Sequence, residues 1–476
     1  MNATRRQGIV GIVVLLGALG WSSAHASFTY NLTQAIHTGP ANEVYIENHC
    51  QVTNTGAVAD SFRLHRVNVQ IPTGWSSSIC VEGSCLSPET ANWGVWILPS
   101  QTQDISIYFT PNYLDENFNL VPVEGSGYAT LNIAQKTDLL NPKSHTLGAV
   151  TDGCDVLIVD DDEGGSVESF YQSAISGRIA GVWRRRPNPT VPGSETQGKL
   201  DATVSTFPLM VWATGAGTNT LNADDRAAID AYRAAGGKLL LTGQDIAFDL
   251  CDPASPNRTA ATESWFENLF KVNYTSNASA SLALNAVAGD PIAQGLALSI
   301  SGGTGANNQT DPDVVTALAG ASPAWTYANG AGGAAVRSLY PIRSVFFGFG
   351  FEAISTAANR TTVMTRTLDW LSLGPTGVDP LPLPAGLVLE APSPNPSFTE
   401  SAIAFSLDRA GPVTLRVVDL AGRVVRVLEN RILSEGRHVA RWDGRTDAGA
   451  HAPAGLYVLE LRGQQGVATR KLVRTK

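Results

Sequence analysis

The chain has 476 residues, more than one hydrophobic core organises, so about three folded units are expected. Hydrophobic residues make up 43% and charged residues 16%, which excludes a largely disordered chain. A formal net charge of −9 argues against a general binder of nucleic acid or anionic membrane, and 46 Gly with 26 Pro suggest the many turns of β-rich modules.

The N-terminus reads as an export signal. Arg5 and Arg6 precede an apolar stretch from Gly8 to about Trp21, and Ala24-His25-Ala26 offers a small-residue cleavage site before Ser27. The apolar run is about 14 residues, short of the ~20 that span a bilayer. A cleaved signal peptide over residues 1–26 is therefore expected, not a membrane anchor. Cleavage removes both arginines and leaves the mature chain more acidic still.

Residues 27–150 read as a β-sandwich. Val67-Asn68-Val69-Gln70-Ile71 alternates and stops at Pro72-Thr73-Gly74-Trp75, and Asp104 to Phe109 alternates before Pro111. Cys80 and Cys85 flank Val-Glu-Gly-Ser, a spacing that suits a short disulfide-closed turn in an exported protein. A zinc site would need a second ligand pair at suitable spacing, and none follows. With five cysteines, at least one stays outside any intramolecular pair, and the spacing leaves Cys154–Cys251 open.

From Cys154 the periodicity changes. Val156-Leu157-Ile158-Val159 is a continuous apolar run ending in Asp160-Asp161-Asp162-Glu163, after which Ser166 is placed to cap a helix. Pro208 to Trp212, Lys238 to Leu241 and Ser344 to Phe347 read as further buried strands. Between and after them lie helical patterns capped by Asn222, around Trp265 to Phe270, and from about Arg360 to Leu371. This alternation predicts a doubly wound α/β domain over residues 151–375. A Pro-rich linker, 376–391, precedes a small β-sandwich over 392–476 with alternating runs at Val413–Asp419 and Gly455–Leu461.

Each of these three units carries a resemblance. The N-T-G turn, P-x-G-W and C-x₄-C of the first unit resemble immunoglobulin-like modules of bacterial exported proteins. The strand–helix–Gly-Gly–strand order around residues 207–246 resembles the class I glutamine amidotransferase-like fold, and Val156–Asp162, Gly243–Ile246 and Gly348–Ile354 resemble secreted bacterial α/β domains. Ser393-Pro394-Asn395-Pro396, Asp419-Leu420-Ala421-Gly422-Arg423, Trp442-Asp443-Gly444-Arg445 and Pro453-Ala454-Gly455-Leu456-Tyr457 resemble two related C-terminal modules. These are the immunoglobulin-like domain of the flagellar hook-capping protein and the type IX secretion sorting domain. The sorting resemblance implies transfer across an outer membrane and attachment or release at the surface. Read structurally, Gly422, Gly444 and Gly455 shape turns, Trp442 fills the core, Asp443 braces a loop, and Tyr457 sits on the alternating strand.

The chemistry is sparse. The amidotransferase-like resemblance implies a cysteine after the Leu239–Leu241 strand, with a His and a Glu farther on. Thr242-Gly243-Gln244-Asp245 stands there instead, and no His occurs between His145 and His438, so the triad is missing. Asp160, Asp161, Asp162 and Glu163 lie where α/β ligand sites form, and with Asp245 they are the candidates for Ca²⁺ or Mg²⁺; in the structural alternative they cap the following helix. Gly348-Phe349-Gly350-Phe351-Glu352-Ala353 matches G-x-G-x-x-A but reads better as core and a tight strand exit, with Glu352 bracing a loop near Arg343. Arg184-Arg185-Arg186 reads as a solvated loop. The sequence thus predicts a secreted or outer-surface protein of a Gram-negative-type bacterium, interacting with export machinery and with surface proteins or polysaccharides. The alternative is a metal-assisted hydrolase or carbohydrate-active accessory enzyme.

Overall fold

The computed structural model describes residues 28–373 and 387–475, apart from Thr33, 186–197, Ala278, 340–341 and short stretches at 390–391, 393, 399, 408–410, 420, 434–435 and 464–465. The expected signal peptide, most of the linker and Arg186 lie outside these residues.

The first unit is a sandwich of two five-stranded sheets. One orders Phe28–Leu32, Ile46–Asn54, Thr102–Thr110, Ser76–Val81 and Ser84–Cys85; the other orders Ile36–Gly39, Asp138–Thr151, Ser126–Gln135, Asp60–Gln70 and Asn92–Ile97. Period-two alternation turns Ile105, Ile107 and Phe109 of one sheet toward Phe62, Leu64 and Leu131 of the other. The Val67–Ile71 run is a different matter. Residues 67–70 are the outer end of a longer strand whose buried apolar residues are Phe62 and Leu64; there Asn68 takes a positive φ of 51° and the register slips opposite Tyr128–Thr130. Cys80 and Cys85 are joined by a disulfide across a turn in which Glu82 and Gly83 both have positive φ. Cys50, Cys154 and Cys251 are buried thiols, so Cys154 and Cys251 are not paired.

Residues 156–347 build an eleven-stranded mixed sheet. Five parallel strands run in the order Ala180–Arg184, Val156–Asp160, Leu209–Gly215, Lys238–Gly243, Ser344–Phe347. Every residue of Val156–Asp160 and of Leu209–Gly215 is buried, so both faces of these strands are covered. The covering helices are α1 (Glu168–Ala174), α2 (Ala223–Ala234), α3 (Ile246–Cys251), α4 (Ala260–Phe270) and α5 (Ala357–Ser372). Asn222 caps α2 in a capping box with Asp225. Helix α1, by contrast, is not capped by Ser166. It starts one residue later, with Val167 at its N-cap and the Val167 N–H donating to Asp162 Oδ2 at 3.4 Å.

A doubly wound parallel sheet does not describe the whole unit. Beyond Ser344–Phe347 the sheet continues antiparallel through Gly333–Ser338, Ala321–Tyr327, Ala283–Ala286 and Leu298–Ser299, with Val272–Ser276 and Val314–Ala317 attached. These strands are short and rich in Ala, Gly, Ser and Thr, so their sequence carries little apolar periodicity.

The sandwich and the mixed sheet share one core. Ile36, Tyr128 and Val150 of the sandwich belong to the same buried cluster as Val156–Val159. The Tyr128 hydroxyl donates to the Val182 carbonyl, and the Val182 N–H donates to Ser126 Oγ at 3.0 Å. Arg184 lies over the Tyr128 ring, 4.3 Å from its centroid, and bonds Gln70 Oε1 at 2.7 Å.

The C-terminal module has its own core. A three-stranded sheet (Val388–Leu389, Ser401–Leu407, Gly436–Trp442) faces a four-stranded one (Val424–Leu433, Gly411–Val418, Gly455–Gly463, Gly466–Arg474). Ile403, Phe405, Leu415, Trp442, Leu459 and Leu472 fill the space between.

A Cβ at Gly181 would fall 2.5 Å from Val150 Cγ1 and 3.2 Å from Cys154 Sγ. Gly181→Val is therefore expected to wedge the sandwich from the sheet and lower the melting temperature by about 2–4 °C, the scale of a 1 kcal/mol overpacking penalty. An unchanged melt, followed by circular dichroism, would contradict a shared core.

Candidate functional site

The candidate site lies at the carboxyl ends of the parallel strands. Asp160 ends its strand, and Asp161 and Asp162 follow; all three are buried. Successive residues of extended chain point to opposite sides, and the acids divide accordingly. Asp160 and Asp162 join Glu168, from the first turn of α1, with one carboxylate oxygen of each within 4.8 Å of the others. Asp161 turns the other way and accepts the Trp212 indole N–H at 2.9 Å. Burial pushes the Asp161 carboxyl well up, and nearby Asp225 adds to it.

Glu168 is the member that the sequence reading missed. Its only signal was an acid in the first turn of a helix following the acidic run, which reads equally as a response to the helix dipole. Arg184 Nη2 sits 3.2 Å from Glu168 Oε1, so a cation would compete with this guanidinium. Asp162 is also engaged in the loop, accepting from the Gly164 N–H at 3.1 Å. Glu163 is exposed, with φ 56°, and does not join the cluster.

Asp245 does not join it either. It occupies the turn between Lys238–Gly243 and α3, in left-handed backbone with φ 63°. Its charged surroundings are Asp249 and Asp311, with a bond from the Asn277 side chain. Nearby Asp313 is wholly buried and accepts from the N–H groups of Ala247 at 2.6 Å and Phe248 at 3.0 Å.

The glycines of the G-x-G-x-x-A match are occupied by the protein itself. A Cβ at Gly348 would fall 2.7 Å from the Asp313 carbonyl oxygen, and one at Gly350 would fall 2.1 Å from Glu352 Oε1. Glu352 does not brace Arg343. It is fully buried, accepting from the Tyr171 hydroxyl at 2.6 Å and from Asn308 Nδ2 at 2.7 Å, and burial raises its pKa. Arg343 donates to the Trp370 carbonyl at 3.2 Å and stacks on that ring.

Nor are Arg184 and Arg185, the described members of the basic triplet, part of a solvated loop. Arg185 is fully buried and paired with Asp225 at 2.8 Å, while Arg184 bonds Glu168 and Gln70. The strand period again sends neighbours to opposite sides.

In the C-terminal module Trp442 is buried, donates to the Arg445 carbonyl at 2.8 Å and meets Tyr457 edge to face at 5.1 Å. Asp443 Oδ1 accepts from the Arg445 N–H at 3.0 Å, and the Tyr457 hydroxyl donates to the Pro453 carbonyl at 2.7 Å. Gly422 and Gly444 take positive φ in turns. At Gly444 a Cβ would fall 1.9 Å from Arg474 Nη1. Gly455 shapes no turn; it opens a strand, opposite Arg474.

These units define a β-rich, multidomain chain of two sandwich modules and a mixed sheet. Residues 395–466 match the FlgD Ig-like domain. That module is therefore immunoglobulin-like, of the kind found on cell-surface or exported proteins. No curated protein matches the chain. Among solved structures it is similar to the N-terminal domain of PorA, at 11% identity over 26% of this chain and 97% of that one, with a TM-score of 0.21. It is also similar to the CARDB domain of the PF1109 protein from Pyrococcus furiosus, solved with di-metal ions, at 14% identity over 26% and 93% with a TM-score of 0.17. The secreted serine protease VesC from Vibrio cholerae is similar at 12% over 28% and 24%, with a TM-score of 0.17. Among the described residues, no helix is long and apolar enough to cross a membrane.

Burial raises the Asp245 carboxyl to about 6, against the bond from Asn277. A raised carboxyl favours the protonated fold, so its contribution is fully present below the ordinary Asp value and is lost as pH rises toward 6. Asp245→Asn, which keeps a residue suited to left-handed backbone, is expected to raise the melting temperature at neutral pH by about 2–4 °C. It should also flatten the fall between about pH 4 and 6. Parallel melting curves for the two proteins across this range would sink the assignment.

Proposed function

We propose that the protein is an exported, cell-surface binding protein without a catalytic centre, whose C-terminal module serves in sorting or surface attachment. The match of residues 395–466 to the FlgD Ig-like domain, on a module with its own core, carries this reading. The signal-like N-terminus and the disulfide-closed turn agree with export. Where the amidotransferase-like resemblance would put a nucleophilic cysteine, this chain has Thr242-Gly243-Gln244-Asp245, and the Glu352 carboxylate is engaged inside the protein by Tyr171 and Asn308. The outer surface of a Gram-negative-type bacterium is the compartment this reading gives.

Deleting residues 391–476 tests the sorting role. The truncated protein is expected to accumulate in the periplasm while the full chain reaches the surface or medium, as read by fractionation and immunoblot. Normal delivery of the truncation would refute sorting.

The convergence of three carboxylates favours a second reading, a metal-assisted hydrolase or carbohydrate-active accessory enzyme. Asp160, Asp162 and Glu168 present the all-oxygen donor set that suits Ca²⁺ or Mg²⁺. A cation held there would supply Lewis-acid chemistry. Under this reading, calorimetry of residues 27–476 detects cation binding that disappears in Asp160→Asn/Asp162→Asn while export continues. Silence with both ions would leave the acids to the loop and Arg184.

A further inference from the structure

Among the described residues, the strand Asn92–Ile97 forms an edge of the sandwich's second sheet, pairing with Asp60–Gln70 alone. Edge strands in soluble proteins are usually guarded by Lys, Pro or other charges. This one reads Asn-Trp-Gly-Val-Trp-Ile and carries none. Val95 and Ile97 point into the core, so Asn92, Gly94 and Trp96 share the outward face. Trp96 is 65% exposed. Beside it, a Cβ built on Gly94 would meet only Ser61 Oγ, at 3.8 Å, which leaves a shallow hollow along the indole.

Polar groups in fixed orientation adjoin that hollow. Arg63, opposite Gly94, donates from Nε and Nη2 to Asn92 Oδ1 at 3.0 and 2.6 Å, so its guanidinium is positioned before any ligand arrives. His65 lies opposite Asn92 on one side and Asn132 on the other. Burial, then the charge of Arg63, lowers the His65 pKa and keeps its imidazole neutral at neutral pH. The face is thus one exposed indole in a field of uncharged donors and acceptors, with one guanidinium. A protein interface would want a continuous apolar centre. A pyranose wants this arrangement, with its C–H face stacked on an indole and its hydroxyls bonded by oriented amide, imidazole and guanidinium groups.

We propose that the outward face around Trp96, with Gly94, Asn92, Arg63, His65 and Asn132, binds a neutral polysaccharide whose chain runs flat across the sheet. An equatorially linked polymer fits best, because its sugar rings present a flat C–H face to stack on the Trp96 indole. This deepens the binding role proposed above and rests on it.

The test uses the mature chain, residues 27–476, in native gels containing hydroxyethylcellulose or xyloglucan, with calorimetry against cellohexaose. Retardation by a polymer and binding of the oligosaccharide are expected. Trp96→Ala should weaken both by about tenfold or more, as truncation of a central Trp does. Gly94→Val, which fills the hollow and leaves the indole in place, should lose binding with an unchanged melting temperature. Phe118→Ala, at an 83% exposed residue outside this face, should bind as wild type. Absence of binding by the wild type, or undiminished binding by Trp96→Ala, would overturn the site. So would a concentration-dependent dimer lost in Trp96→Ala, which would give the face to a second copy. Retention by isolated cell envelopes separates the two readings: retained protein that ignores these glycans defeats this site alone, whereas unretained protein defeats the wider binding role.

Discussion

The edge of the parallel sheet at Ala180–Arg184 is the constraint on which much of the molecule depends. An edge strand presents backbone N–H and C=O groups that must find partners. Here the sandwich supplies them: Ser126 Oγ takes the Val182 N–H, and the Tyr128 hydroxyl reaches the Val182 carbonyl. Gly181 lets the sandwich's Val150 come close, and only four residues separate the last sandwich strand from Val156. Sandwich and sheet therefore bury one continuous apolar cluster, and a change at this seam is felt in both. The opposite situation holds at Asn92–Ile97, where among the described residues no second strand pairs and an indole stands exposed.

The same strand period sorts the charges near that seam. Asp160, Asp162, Glu168 and Arg184 gather on one side, and Asp161, Asp225 and Arg185 on the other. Each side mixes signs, which lets so many ionisable groups lie inside a protein where an isolated buried charge would be costly. Removing one partner from such a group leaves the other uncompensated. The acidic run is thus structural wiring first, and any cation must displace interactions already present.

The C-terminal module solves its folding differently. Trp442 and Tyr457 meet in the core, and Arg474 from the last strand fills the space a side chain at position 444 would take. The W-D-G-R turn is therefore defined by contact with Arg474 on the strand Gly466–Arg474, while Asp443 secures it locally. The core of this module is drawn from residues between Leu389 and Leu472.

Local physics was legible in the sequence wherever one element sufficed to specify it. Continuous apolar runs gave the buried parallel strands, the Asn222 cap gave the start of α2, and the Trp442 turn gave the last module. What depended on partners distant in the chain was not legible. Arg184 and Arg185 look like a solvated basic run until Glu168, Gln70 and Asp225 are brought beside them. Glu168 joins Asp160 and Asp162 only because α1 folds back over its strand, and Asp245 stays apart because its turn delivers it to Asp249, Asp311 and Asn277. The antiparallel half of the sheet left almost no periodic trace, since its short, small-residue strands are specified by pairing with neighbours. Sequence alone determined which segments are apolar, capped or turned, because those preferences act within a few residues. Tertiary structure alone decided which charges meet and which edges stay open, because those depend on closing loops of tens to hundreds of residues.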